Sequence, residues 1–242
     1  MANKPHIVRR VSVAPSDLMM AVPPFIDQHG ANEDKELANG LLRVTRETRV
    51  LLGQFFLYVA MTRSKEFANA CNASDAKEGA AIVVGSLMRT MVVTIAALFD
   101  EDGRTSNVPK TLRTALSPAR TEFLRKFHEH YGVEAESQKS RERLVRYGRS
   151  IRSGALKAAI RRVVNVRNTF VAHIDFSPPA LGEGERAIVR DFDHVISAAA
   201  IIVGETNVFV LGRRIDVAGL RKILREEAGG LVSTLKRGFQ LL

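Results

Sequence analysis

A chain of 242 residues with 45% apolar content has enough material for one sizeable core, so a folded domain is expected rather than a disordered segment. Its 36 Lys and Arg against 26 Asp and Glu leave a net charge of +10, which favours an anionic partner such as nucleic acid or a membrane surface over a cationic one. A single cysteine, Cys71, excludes an internal disulfide framework or a zinc ribbon and fits a reducing, cytoplasmic setting.

Residues 1–30 contain Pro5, Pro15, Pro23 and Pro24 without a sustained period, and read as a flexible, mildly basic leader. The opening MANKPHIVRR has no hydrophobic run long enough for a secretory signal. A single helical domain is expected over 31–242. From Asn32 to Met61 good helix formers dominate, and Leu37, Leu41, Val44, Leu51, Phe55 and Tyr58 recur at helical intervals, which predicts an amphipathic helix. Ser74 is the expected N-cap of a second helix running to Phe99. The stretch Gly79 to Phe99 has nearly the length of a membrane span, but Arg89 stands at its centre, where a charge is costly in lipid. The expectation is a buried central helix and no membrane.

A short helix is expected after Pro109. Ser117-Pro118 places a cap before a proline at the first helical position, opening a helix that Gly132 stops after Tyr131. Glu134 to Ile174 reads as helix with a kink or break at Ser153-Gly154. After the loop around Pro178-Pro179, helices are expected over Arg186 to Val203 and Val217 to Phe239. Val208 to Leu211 reads as a short strand, and one strand cannot make a sheet alone. The fold class is all-α, a bundle of about six helices.

The charge is concentrated. Between Lys139 and Arg167 stand ten basic residues and one acid, Glu142, a local charge of +9. Lys139, Arg143, Arg146 and Arg149 share one helical face, opposite Leu144 and Ile151. A merely solvated helix gains by alternating signs at i,i+4, and this one does not. Arg outnumbers Lys eight to two, and the planar guanidinium suits phosphate oxygens. Lys157, Arg161 and Arg162 extend the set. Tyr147 is the one aromatic residue among them, so backbone contact outweighs base stacking.

The basic region ends in RNTFVAHID. At 100° per residue Ile160, Val163, Val164, Phe170, Val171 and Ile174 form one apolar stripe, and Arg167 falls in the middle of it. A guanidinium there needs an anionic partner, an interface or a cleft. His173 lies about 120° round and about 9 Å further along the axis, close enough for both to reach one phosphate. At a helix end the unpaired carbonyls favour protonated imidazole.

Arg167, Asn168 and His173 in that arrangement resemble the motif of the HEPN superfamily. The wording RNTFVAHID, with LFDEDGRTSNVPKTLRTAL upstream, is similar to its AbiU-type abortive-infection branch. That resemblance implies a helical bundle and a homodimer with the motif helices facing across the two-fold axis. It also implies a metal-independent endoribonuclease of phage-defence or toxin type, needing no cofactor and paired with an antitoxin or defence partner. Arg167 would then hold the non-bridging phosphate oxygens, His173 would move protons, and Asn168 would orient either group. Arg89 and Asp100, on one face of the second helix with Ser86, are expected as auxiliary groups.

His128 and His130 flank Glu129 but point apart at i,i+2, so they read as a wet helix end rather than metal ligands. Two other functions compete with RNA cleavage. One is a non-catalytic module using the same basic face for nucleic acid or a protein partner; the other is a helix-turn-helix regulator at the Gly132 junction.

Overall fold

A computed structural model describes residues 21–75, 77–100, 106–168 and 189–239. Every regular element among them is helical, so the all-α expectation holds. Helix α1 (Pro24–His29) opens with proline at its first turn, where the missing N–H costs nothing. Its Ile26 is buried, and its Phe25 ring lies 5.8 Å from Phe127 and 5.9 Å from Phe123. The last part of the segment read as leader is thus docked, while residues 1–20 lie outside the described residues.

Helix α2 (Asn32–Arg63) follows the expected period, with Leu37, Leu41, Val44, Leu51 and Phe55 buried. Asp34 Oδ2 accepts from the Ala31 N–H at 2.9 Å and so satisfies one orphan donor of the first turn. A short helix unforeseen in the sequence, α3 (Lys65–Asn72), is capped by Ser64, whose Oγ accepts from the Phe67 N–H at 3.1 Å. Helix α4 (Lys77–Phe99) starts later than expected. Ser74 instead donates from Oγ to the Cys71 carbonyl at 3.2 Å and helps close α3.

Asn107, fully buried, caps α5 (Val108–Ala115) by accepting from the Lys110 N–H at 2.8 Å. A 3-10 turn (Pro118–Arg120) leads into α6 (Thr121–Tyr131). Gly132 ends α6 in the left-handed conformation, φ +64°: its N–H reaches the Glu129 carbonyl and that of Val133 reaches His128, the paired bonds of a Schellman motif. Helices α7 (Glu134–Arg152) and α8 (Gly154–Val166) are broken at Ser153-Gly154 as predicted, with Gly154 at φ +77°. Helices α9 (Val189–Leu211) and α10 (Val217–Phe239) complete the bundle, ten α-helices among the described residues rather than about six.

Two expectations are corrected. Val208 to Leu211 is the last turn of α9, not a strand; all four residues are buried, and in a run covered on every side the period no longer separates helix from strand. Helix α4 is not the buried centre. The most apolar windows of α4 and α9 have mean hydropathy 2.0 and 1.7, yet 33% of the first and 78% of the second is buried. Both are long and apolar enough to cross a membrane. In this bundle α9 is the helix wrapped by α2, α5, α7 and α8, while α4 packs on α2 and α8 with one side open.

A polar staple fixes the register of α9 on α2. Buried Asn207 donates from Nδ2 to Thr45 Oγ1 at 2.9 Å and to the Val203 carbonyl at 2.8 Å, and Thr45 donates onward to the Leu41 carbonyl. Around it Leu41, Val44, Ile196 and Ile202 are 0–1% exposed, each stabilising the fold by about 1.5–3 kcal/mol through burial. His128 belongs to this core as well, contrary to the wet helix end expected. Its Nε2 lies 2.7 Å from the Phe209 carbonyl, and burial pushes its imidazole below its usual range.

Candidate nucleic-acid interface

Helix α8 positions the first two motif residues. Leu156, Ala159 and Val163 are buried along one side, and Arg167 continues that azimuth. It is nevertheless exposed, and residues 167 and 168 form a wider π turn beyond the last regular residue of the helix. The Arg167 N–H still reaches the Val163 and Val164 carbonyls, so its backbone is held. Its Nη1 donates to Asn168 Oδ1 at 3.3 Å, and its remaining donors have no acid partner among the described residues. A fork held loosely by a neutral amide is poised for an anion. His173 lies outside the described residues.

The basic set divides into two groups. Leu144 and Ile151 face inward from α7 as expected, and Lys139, Arg143, Arg146 and Arg149 are exposed on the other side. Arg143 is tied down: its Nη1 meets Glu205 of α9 at 2.6 Å, and that carboxylate holds the guanidinium still more firmly in its charged form. Arg162 is a correction to the expected contact set. Its Nε and Nη2 grip the buried Asp191 carboxylate at 3.0 and 2.5 Å, so it holds α8 to α9 and presents no fork to solvent. Lys139, Arg146, Arg149, Lys157 and Arg161 are exposed without an ion pair among the described residues.

On α8, Lys157, Arg161 and Asn168 occupy one exposed line at i, i+4 and i+11, a track about 16 Å long that ends at the motif. Ser86, Arg89 and Asp100 are all exposed. Helix α4, which carries Ser86 and Arg89, packs on α8. The Asp100 carbonyl accepts from Asn107 Nδ2 at 2.5 Å, so the peptide after α4 is fixed by the cap of α5.

Asp191 and Glu205 were missed, although Asp191 carried a signal. It falls on the stripe of Val195, Ala199 and Ile202, and a carboxylate among core residues requires a cation. The rule that singled out Arg167 would have found it.

A helical bundle with an Arg-Asn pair at the end of a basic helix is the architecture of the HEPN class. The profile of the AbiU2 family of HEPN proteins matches residues 34–228, from the first turn of α2 into α10, a span that includes Arg167, Asn168 and His173. The chain belongs to this family. No curated protein and no solved structure matches it.

Proposed function

We propose that the protein is an abortive-infection ribonuclease that cleaves RNA at a composite site shared by two copies of the chain. The reading is carried by one observation: the exposed Arg167–Asn168 pair stands at the end of a track of exposed cations, Lys157 and Arg161, on α8. RNA contains its own nucleophile, the 2′-OH, so the protein has to position it, move protons and stabilise the charge of the pentavalent phosphorane. Arg167 holds the non-bridging oxygens through its fork. His173 takes the 2′-OH proton or donates one to the leaving 5′ oxygen, and Asn168 orients the reacting groups. The new bond joins the 2′ oxygen to phosphorus and the P–O5′ bond breaks, leaving a 2′,3′-cyclic phosphate and a 5′-OH.

The protein acts in the cytoplasm, and a cognate antitoxin or defence partner restrains it. The test is incubation of the purified chain with total RNA in EDTA beside His173→Ala. Fragments ending in cyclic phosphate from wild type alone support the reading; intact RNA, or equal cutting by both proteins, leaves a nucleic-acid-binding or protein-interaction module instead.

A further inference from the structure

Phe25, His29, His130 and Tyr131 form a cluster of rings at the surface, and a cation without an acid stands next to it. Two exposed histidines lie against the half-buried Phe25 ring of α1, His29 and His130, each at 4.8 Å between ring centroids and tilted by 57° and 37°. His130 in turn meets Tyr131 edge-on at 4.8 Å. The cation is Arg213. It follows Gly212, whose missing Cβ would stand 3.4 Å from the Phe127 ring, and Phe127 packs on both Phe25 and Tyr131. Arg213 Nη1 donates to the Ala21 carbonyl at 2.9 Å, just ahead of α1, and its other side-chain donors have no partner among the described residues. Burial pushes this guanidinium below its usual range, with only Tyr131 opposing.

The acids nearby in sequence point elsewhere. Asp27 is turned about 160° from Phe25 on α1, and Glu129, about 100° from His130 on α6, is held by Arg125. The cluster is also remote from the Arg167–Asn168 pair. Gly212 closes α9, whereas Arg162 of α8 grips Asp191 in the first turn of α9, about 30 Å away along the axis.

We propose that this cluster is a second contact for single-stranded RNA, in which unpaired bases stack on the exposed His29 and His130 rings and an adjoining phosphate is held by Arg213. An inorganic anion would engage Arg213 alone, and an apolar peptide would cover the rings and leave the desolvated guanidinium unanswered. A nucleotide joins a π face and a phosphate through one sugar, and only an unpaired base has its face free. The proposal rests on the reading of RNA as the ligand and not on its cleavage. It adds that the substrate is single-stranded and long enough to reach both ends of α9, about nine nucleotides at a stacked rise of about 3.4 Å.

The probe is a labelled 2′-O-methyl RNA of about 12 nucleotides, which has no free 2′-OH to attack with, beside the same backbone without bases. Wild type should bind the base-bearing strand about tenfold or more tightly than the abasic one. The variant H29A/H130A, altered only at exposed side chains, should keep the helical spectrum, bind the base-bearing strand about fivefold or more weakly than wild type, and bind the abasic strand as wild type does. Arg213→Gln retains an N–H for the Ala21 carbonyl and should weaken both strands, with a slope against log salt smaller by about 0.7. A base-paired probe should not distinguish H29A/H130A from wild type. Equal binding of the base-bearing strand by wild type and H29A/H130A overturns the proposal, as does an equal loss on both strands, which would leave the rings as packing for α1. No binding by wild type overturns it together with RNA as the ligand. Cleavage in EDTA by a wild type that fails this test leaves the ribonuclease reading standing, and base-dependent binding without cleavage does the reverse.

Discussion

Arg162 and Asp191 form a two-pronged ion pair, Nε to Oδ2 at 3.0 Å and Nη2 to Oδ1 at 2.5 Å, that joins α8 to the first turn of α9. One partner precedes and the other follows the segment carrying His173. The carboxylate is buried and the guanidinium is partly so, at 7% and 29% side-chain exposure. Removing one partner leaves the other desolvated without its counter-charge. Asp191→Ala should therefore cost roughly 1–3 kcal/mol in urea unfolding, below the full value for a buried pair because Arg162 retains some water contact. Glu122→Ala, which removes the exposed acid that Arg125 and Lys126 share, should leave the urea midpoint where it is in wild type.

The same pair bears on RNA affinity. Arg146 and Arg149 are exposed and unpaired among the described residues, whereas Arg162 is engaged. Arg146→Ala and Arg149→Ala should each reduce the slope of log Kd against log salt by about 0.7–0.9, the release of one counterion. Arg162→Ala should leave that slope unchanged while lowering stability. Filter binding across 50–300 mM salt reads the difference, and equal slopes for all three variants would contradict the division of the basic set.

His128 gives stability a pH dependence of definite sign. Burial is the main cause of its lowered pKa, opposed by the Phe209 carbonyl and the nearby charge of Glu134. The unfolded chain, with an ordinary histidine near 6.5, therefore binds the proton first. The stabilisation is present above the unfolded pKa and is lost as pH falls from there through the folded one. Unfolding midpoints should drop below about pH 6.5 in wild type, and that share of the slope should vanish in His128→Gln. A variant with the wild-type pH profile would contradict the buried position.

Much of the bundle was legible because its punctuation is chemical. Gly132 closes α6, Gly154 breaks α7 from α8, and Pro109 stands in the first turn of α5 where the sequence places them. What was not legible is which of two apolar helices is enclosed. Helices α4 and α9 have little periodicity to read, so their burial is decided by how many neighbours dock on them, and that is a tertiary outcome. Val208 to Leu211 failed for the same reason. Arg167 lies on the azimuth of the buried Leu156, Ala159 and Val163 and is nonetheless exposed, which no spacing announces. Arg162 was assigned to RNA because a cation was counted without its partner 29 residues away.

Glycines separate by backbone angle. Gly212 ends α9 at φ +61°, and a Cβ there would stand 3.4 Å from the Phe127 ring, so Gly212→Ala should destabilise by about 1 kcal/mol or more. Gly229 and Gly230 lie inside α10 with nothing within 4 Å of where a Cβ would stand. Each replacement by alanine should stabilise by about 0.5–1 kcal/mol in thermal unfolding.

The central claim is that Arg167 acts on charge developing in the transition state while the cations of α7 and α8 supply affinity. The direct measurement is cleavage of a labelled RNA in EDTA by wild type, Arg167→Ala and Arg167→Lys, with RNA affinity and oligomeric mass determined on the same samples. The account predicts a loss of cleavage of about a hundredfold or more in both variants, since a point charge cannot replace the two-pronged contact, with affinity within about threefold of wild type and mass unchanged. Cleavage at the wild-type rate by Arg167→Ala, or no cleavage by wild type, would contradict it.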